Sequence, residues 1–99
     1  MSDSILHTVV LLEERDGADS RFLSASVKSS GDLVLEGHDM GPIVKRFWPD
    51  DEYEYWRKVD SANVPKVLLE LIKDRFKHES EFAEWLKTKE IPSEFHNWV

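Results

Sequence analysis

The sequence contains no cysteine, which excludes a disulfide framework, a thiolate metal site and a cysteine nucleophile. Long apolar runs are also missing, since no stretch approaches the ~18 uninterrupted apolar residues typical of a membrane-spanning helix. The first residues carry neither a basic region nor a following apolar stretch, so we expect no secretory signal. These absences favour a cytoplasmic protein with no membrane partner.

Basic residues are scarce, with 13 Lys and Arg against 20 Asp and Glu, giving a net charge of −7 at pH 7. This excess of acid argues against binding to a phosphate backbone, and the basic pairs Lys45-Arg46 and Arg57-Lys58 are isolated. Glycine occurs only four times and never in a phosphate-binding spacing. We therefore expect neither a nucleic-acid partner nor a nucleotide cofactor.

Hydrophobic residues make up 40% of the 99 positions, enough for one core, and we expect a single domain over residues 1–99. The first half has the period-two alternation and β-rich runs of strands, separated by the turn pairs Asp16-Gly17 and Ser30-Gly31. Strands are predicted over residues 5–13, 21–28, 32–37 and 53–59. Short turns between successive strands predict an antiparallel meander.

The second half changes to a helical period. One apolar stripe at helical spacing consists of Val64, Val67, Leu68, Leu71, Ile72 and Phe76. A second helix is predicted over residues 80–89, and residues 38–52 are expected to form a loop with one helical turn around 42–47. The apolar Phe95 and Trp98 are expected to fold back onto the core. The predicted fold is α+β, an antiparallel meander of about four strands followed by two C-terminal helices packed on one face.

Residues 47–56 form an unusually acidic and aromatic stretch, Phe-Trp-Pro-Asp-Asp-Glu-Tyr-Glu-Tyr-Trp. Aromatic anchors beside carboxylates are typical of surfaces that bind basic proteins. On this hypothesis Trp48 and Tyr53 anchor a basic protein partner, and the acids that attract it are Asp50, Asp51 and Glu52. A simpler interpretation is that Phe47 and Trp56 fill the core while the acids form a solvated turn.

The alternative functional hypothesis concerns the pair His38-Asp39, which lies between Gly37 and Gly41. A glycine-flanked loop over residues 38–48 could form a small-ligand or enzymatic pocket against the sheet. Otherwise catalytic motifs are missing: there is no GxSxG motif, and four scattered histidines never take a metal-binding spacing. We therefore favour a protein that is not an enzyme and holds no metal or cofactor, a monomer or weak dimer.

Three segments carry a resemblance, namely residues 31–42 (GDLVLEGHDMGP), 51–56 (DEYEYW) and 91–95 (IPSEF). With Val64-Pro65 at the start of the leucine-rich helix, the chain resembles a family of small, acidic, uncharacterised bacterial proteins over roughly residues 21–98. The resemblance implies a common fold and no particular activity. In general character the chain is also similar to the immunity proteins that neutralise bacterial toxins, which need an acidic, aromatic face.

Overall fold

A computed structural model describes residues 4–98. Four strands come first and two longer helices follow, as the change of hydrophobic period predicts. A short helix lies in the last strand connection, and a 3-10 turn (Ser61–Asn63) precedes the second helix. The elements are β1 (Ile5–Asp16), β2 (Asp19–Lys28), β3 (Leu33–Met40), α1 (Pro42–Lys45), β4 (Glu52–Val59), α2 (Val64–Arg75) and α3 (Glu79–Thr88).

The sheet is an antiparallel meander in the order β1-β2-β3-β4, which confirms the predicted topology. Register places Ala25 opposite Leu35, and Val27 opposite Leu33, so the predicted apolar positions share one face. Ser26, on the other face, is buried, and its hydroxyl donates a hydrogen bond to Thr8 Oγ1 at 2.9 Å. Strand pairing therefore satisfies the hydroxyl of this buried serine.

Strand β3 extends beyond its predicted end. Gly37 is paired within the ladder, opposite Leu23 and Tyr55, and the strand ends only at Met40. Gly41 makes the reversal instead, with φ of 114°, a conformation that L side chains rarely adopt. The expectation of a loop from residue 38 is therefore wrong, whereas the predicted helical turn is present as α1.

The chain divides into two compact units, one ending at Pro65 and the other beginning at Lys66. The first contains the sheet and α1, whose Val44 is buried. In the second, Phe76 meets Phe82 and Trp85 edge to face, with centroids 5.3 and 5.8 Å away. The packing of both helices on one sheet face and the single-domain organisation remain predictions.

Helix α3 ends in a hydrogen-bonded C-terminal motif that contains an unfavourable residue. The Ile91 amide donates to the Leu86 carbonyl and the Glu90 amide to the Lys87 carbonyl, the bonds of a Schellman motif. Its left-handed position is normally glycine, but here it is Glu90, with φ of 58°.

The C-terminal segment after Glu90 is open to solvent. Trp98 is 99% exposed and Phe95 is also exposed, so the expectation that they fold back is wrong. Within residues 4–98, no helix is both long and apolar enough to span a bilayer.

We predict that Glu90→Gly stabilises the protein by about 0.5–1 kcal/mol, because glycine adopts the left-handed conformation without a Cβ clash. Chemical denaturation followed by circular dichroism measures the change. Glu84→Gly, within α3, is the matched control and should destabilise by about 1 kcal/mol. Equal effects of the two substitutions would contradict the assigned conformation of Glu90.

Candidate functional site

Strand alternation divides the acidic, aromatic stretch between the two faces of the sheet. Tyr55 lies opposite Gly37, while Glu54 lies opposite His38 on the next rung of the ladder. Because consecutive side chains of a strand point to opposite faces, the tyrosines and glutamates of β4 are separated. We call one side the Tyr55 face (Gly37, Asp39, Tyr53, Tyr55) and the other the His38 face (His38, Glu52, Glu54, Trp56).

The Tyr55 face carries a column of stacked aromatic rings. Trp48 stacks on Tyr53 with a centroid distance of 4.6 Å and an interplanar angle of 10°. Tyr53 in turn stacks on Tyr55, at 5.3 Å and 25°. Trp48, at one end of the column, is 46% exposed, whereas the two tyrosines are half-buried. Both aromatic residues predicted as anchors are therefore in contact, with one indole open to solvent.

Gly37 makes this column possible. The Tyr55 ring lies directly over Gly37, and a Cβ at that position would overlap the ring. Gly37 is itself buried beneath the tyrosine. Sequence analysis missed this role of Gly37, because a glycine in a strand pattern predicts the end of the strand and not a position covered by an aromatic ring.

The connection between β3 and β4 holds Trp48 in place. Its first and last residues are tied by a hydrogen bond from the Gly41 amide to the Asp51 carbonyl, at 2.8 Å. Helix α1 is fixed to the start of β2, because the Ile43 amide donates to Asp19 Oδ1 at 3.0 Å. The Trp48 amide continues from α1 by donating to the Val44 carbonyl at 3.0 Å. The loop that carries the anchor is thus closed by backbone bonds.

The three predicted acids are all exposed, but they do not form one cluster. Asp50 and Asp51 lie in the connection that carries Trp48, and within residues 4–98 neither forms an ion pair. Glu52 belongs to the His38 face, where its Oε1 lies 3.3 Å from His38 Nε2. Two of the three carboxylates therefore accompany the aromatic column.

The simpler interpretation of residues 47–56 is wrong for Phe47 and Trp56, the two residues that it places in the core. Phe47 is 75% exposed and Trp56 is 72% exposed. Neither side chain is buried in a core. The stretch therefore presents aromatic area on both faces of the sheet.

The proposed pairing of His38 with Asp39 is also corrected. Both residues lie in β3 rather than in a loop, so their side chains point to opposite faces. Asp39 Oδ1 lies 3.8 Å from Nε of Arg21, whereas His38 faces the glutamates of β4. A single pocket therefore cannot use both side chains as a dyad.

A cavity of about 490 Å³ nevertheless lies beside His38, on the His38 face. His38 Nε2 is shielded from solvent, and its approach to Glu52 lacks hydrogen-bond geometry. Sequence reasoning missed the walls of this cavity because they come from three strands. They include Phe22, Val34, Glu36, His38, Glu54 and Trp56.

Comparisons of the chain with protein-family models, with curated proteins and with solved structures gave no match. The resemblance based on the three sequence segments therefore stays a prediction. Among residues 4–98, no group of three His, Asp or Glu side chains is arranged to hold a metal ion. The candidate sites are thus the aromatic column with its two carboxylates and the cavity on the opposite face.

We predict that Gly37→Ala destabilises the protein by about 1–3 kcal/mol, because the added methyl group forces the Tyr55 ring out of its stack. In a Tyr55→Ala background the same substitution should cost at least about 1 kcal/mol less. Urea denaturation of the four proteins of this cycle measures the coupling. Equal costs in the two backgrounds would show that the ring does not occupy the space above Gly37.

Proposed function

We propose that this chain is a cytoplasmic protein-interaction module that binds a basic protein partner through an acidic aromatic surface. The surface comprises Trp48, Asp50, Asp51, Glu52 and Tyr53. One observation carries the proposal: the half-exposed Trp48 indole is already stacked on Tyr53, and Asp50 and Asp51 in the same connection have no cationic partner of their own among residues 4–98.

The stack supports an anchoring role for Trp48. A side chain that is already ordered loses little conformational freedom on binding, so more of its contact energy remains as affinity. Tryptophan and tyrosine are also the residue types that most often dominate interface energies. The open side of the Trp48 indole supplies apolar area for a partner, while Tyr53 supports it from behind.

The charges support the choice of a basic partner. Asp50 and Asp51 are exposed, and the whole chain is acidic, so long-range attraction favours a positive surface. The same acidity is why we expect neither nucleic acid nor a membrane as a partner. Glu52 lies beside His38, and we therefore assign it the smallest part of the attraction.

This combination matches what an immunity protein requires, namely an acidic, aromatic surface that covers the basic active-site cleft of a toxin. We therefore place a toxin with such a cleft first among the partners to be tested. On this proposal the free protein is a monomer or weak dimer.

The cavity beside His38 favours a second candidate function, the binding of a small molecule. Ligand pockets in proteins commonly occupy about 300–1,000 Å³, and the cavity of about 490 Å³ falls within that range. This version retains His38 and omits Asp39, which lies on the Tyr55 face.

Neutralising the acids of the surface should weaken partner binding. We expect a protein captured from a lysate of the source organism at about 50 mM salt to be lost at about 500 mM. For that purified partner, Asp50→Asn, Asp51→Asn and Glu52→Gln together should raise the Kd by about 3- to 30-fold, and Trp48→Ala by about 30-fold. Calorimetric titration at low salt measures both changes.

A charge-matched control uses three exposed acids of the second unit. Glu70→Gln, Asp74→Asn and Glu84→Gln together change the net charge equally but should leave the Kd within about twofold, since only the local charges face the partner. Thermal melts confirm that each variant is folded. Equal weakening by both triple variants would show that net charge, not this surface, governs binding.

A further inference from the structure

The His38 face combines aromatic rings with carboxylates in two neighbouring rows of the sheet. One row across strands β2, β3 and β4 contains Phe22, His38 and Glu54. The next row contains Ser24, Glu36 and Trp56. Each row therefore supplies one aromatic ring and one carboxylate to the walls of the same cavity. Directly opposed side chains in a sheet lie about 5 Å apart, so these groups are close enough together to contact one small molecule.

Strand alternation places two of the three arginines of the sheet on the face opposite this cavity. The third, Arg15, lies opposite Ser20 on the His38 face but does not line the cavity. Arg21 and Arg57 occupy the Tyr55 face, where Arg21 pairs with Asp39. Lys58 shares the His38 face but points its ammonium to Asp60, 3.5 Å away. The walls of the cavity include no lysine or arginine.

The glutamates on the His38 face differ in how much of their negative charge is already balanced by a neighbouring basic group. Glu36 Oε1 lies 3.6 Å from Lys28 Nζ, which neutralises part of its charge. Glu52 is the nearer glutamate to His38, at 3.3 Å, and Glu54 is farther, at 3.9 Å. The Glu54 side chain is 71% exposed, so its charge remains available to a ligand in the cavity.

We propose that this cavity binds a small organic cation, an alkylammonium or guanidinium group. The cation would lie against the Trp56 and Phe22 rings, whose faces attract positive charge, and would pair with Glu54. Aromatic walls favour an organic cation over a strongly hydrated metal ion, which needs several oxygen ligands instead. The inference rests on the second candidate function and adds the chemical class of its ligand.

Titration by two-dimensional NMR tests the inference with n-butylammonium and n-butylguanidinium as probes. The indole N–H resonance of Trp56, assigned from its loss in Trp56→Leu, should shift and saturate with both cations. n-Butanol and n-butyrate have the same chain without the positive charge, and they should bind at least about 10-fold more weakly or not at all.

Variants locate the binding within the cavity. Glu54→Gln should weaken binding of n-butylammonium by about 3- to 10-fold, and Trp56→Leu, followed through the amide of His38, by a similar factor. Both side chains are exposed, so the variants should remain folded, which circular dichroism verifies. Trp48→Leu and Glu70→Gln, which lie outside the cavity, are matched controls and should leave the affinity unchanged.

The outcomes separate the ligand class from the pocket itself. If n-butanol shifts the Trp56 resonance as strongly as the cations do, the cavity binds small molecules but its assigned charge preference is wrong. If no probe shifts it, both this inference and the second candidate function fail, while the acidic aromatic surface is unaffected.

The peptides Gly-Lys-Gly and Gly-Arg-Gly distinguish the two sources of such a cation. Tighter binding of the peptides than of the free cations supports a partner's side chain as the ligand. Equal or weaker binding supports a free metabolite of the same class. Both results support cation recognition.

Discussion

The register between β3 and β4 is the constraint on which both candidate sites depend. It sets Tyr55 opposite Gly37 and Glu54 opposite His38, so the tyrosines and glutamates of one short segment lie on different sides of the sheet. A slip of one residue would exchange the two faces and place every side chain of β4 on the wrong side. Gly37 is the only position of β3 without a side chain, and a Cβ there would overlap the Tyr55 ring. The aromatic stack therefore helps to fix the register that creates it.

The order of the strands and helices could be predicted from the sequence, but the contacts between them could not. Period-two and helical patterns predicted four strands and two helices because each pattern is local and repeats over many residues. The end of β3 was misplaced because Gly37 and Gly41 look alike in a sequence. One lies beneath a tyrosine from another strand, and the other adopts a positive φ. Gly37 is paired with Leu23 and Tyr55, which lie 14 and 18 positions away in the sequence. A local sequence pattern contains no information about such distant partners.

The same reasoning explains which parts of the sites were predictable. Trp48, Asp50 and Asp51 are neighbours along the chain, and their composition alone indicated an exposed acidic, aromatic segment. The cavity walls, in contrast, join Phe22, Glu36 and Trp56 from three strands, so they meet only once the registers are known. His38 and Asp39 failed as a pair for an equally simple reason. Adjacent residues of a loop can contact the same ligand, but the side chains of adjacent residues in a strand point to opposite faces of the sheet.

Charge placement on the Tyr55 face limits where a basic partner can bind. Arg57 and Arg21 lie on that face within the sheet, and of the two only Arg21 has a carboxylate partner among residues 4–98, that of Asp39. A positive surface approaching the middle of the sheet would therefore be repelled by Arg57. Asp50 and Asp51, however, lie outside the strands, in the connection that carries Trp48. On the Tyr55 face, attraction and aromatic contact thus coincide at that end of the sheet. A basic partner that uses the acidic aromatic surface must centre on the β3–β4 connection, with the exposed Trp48 indole at the middle of its footprint.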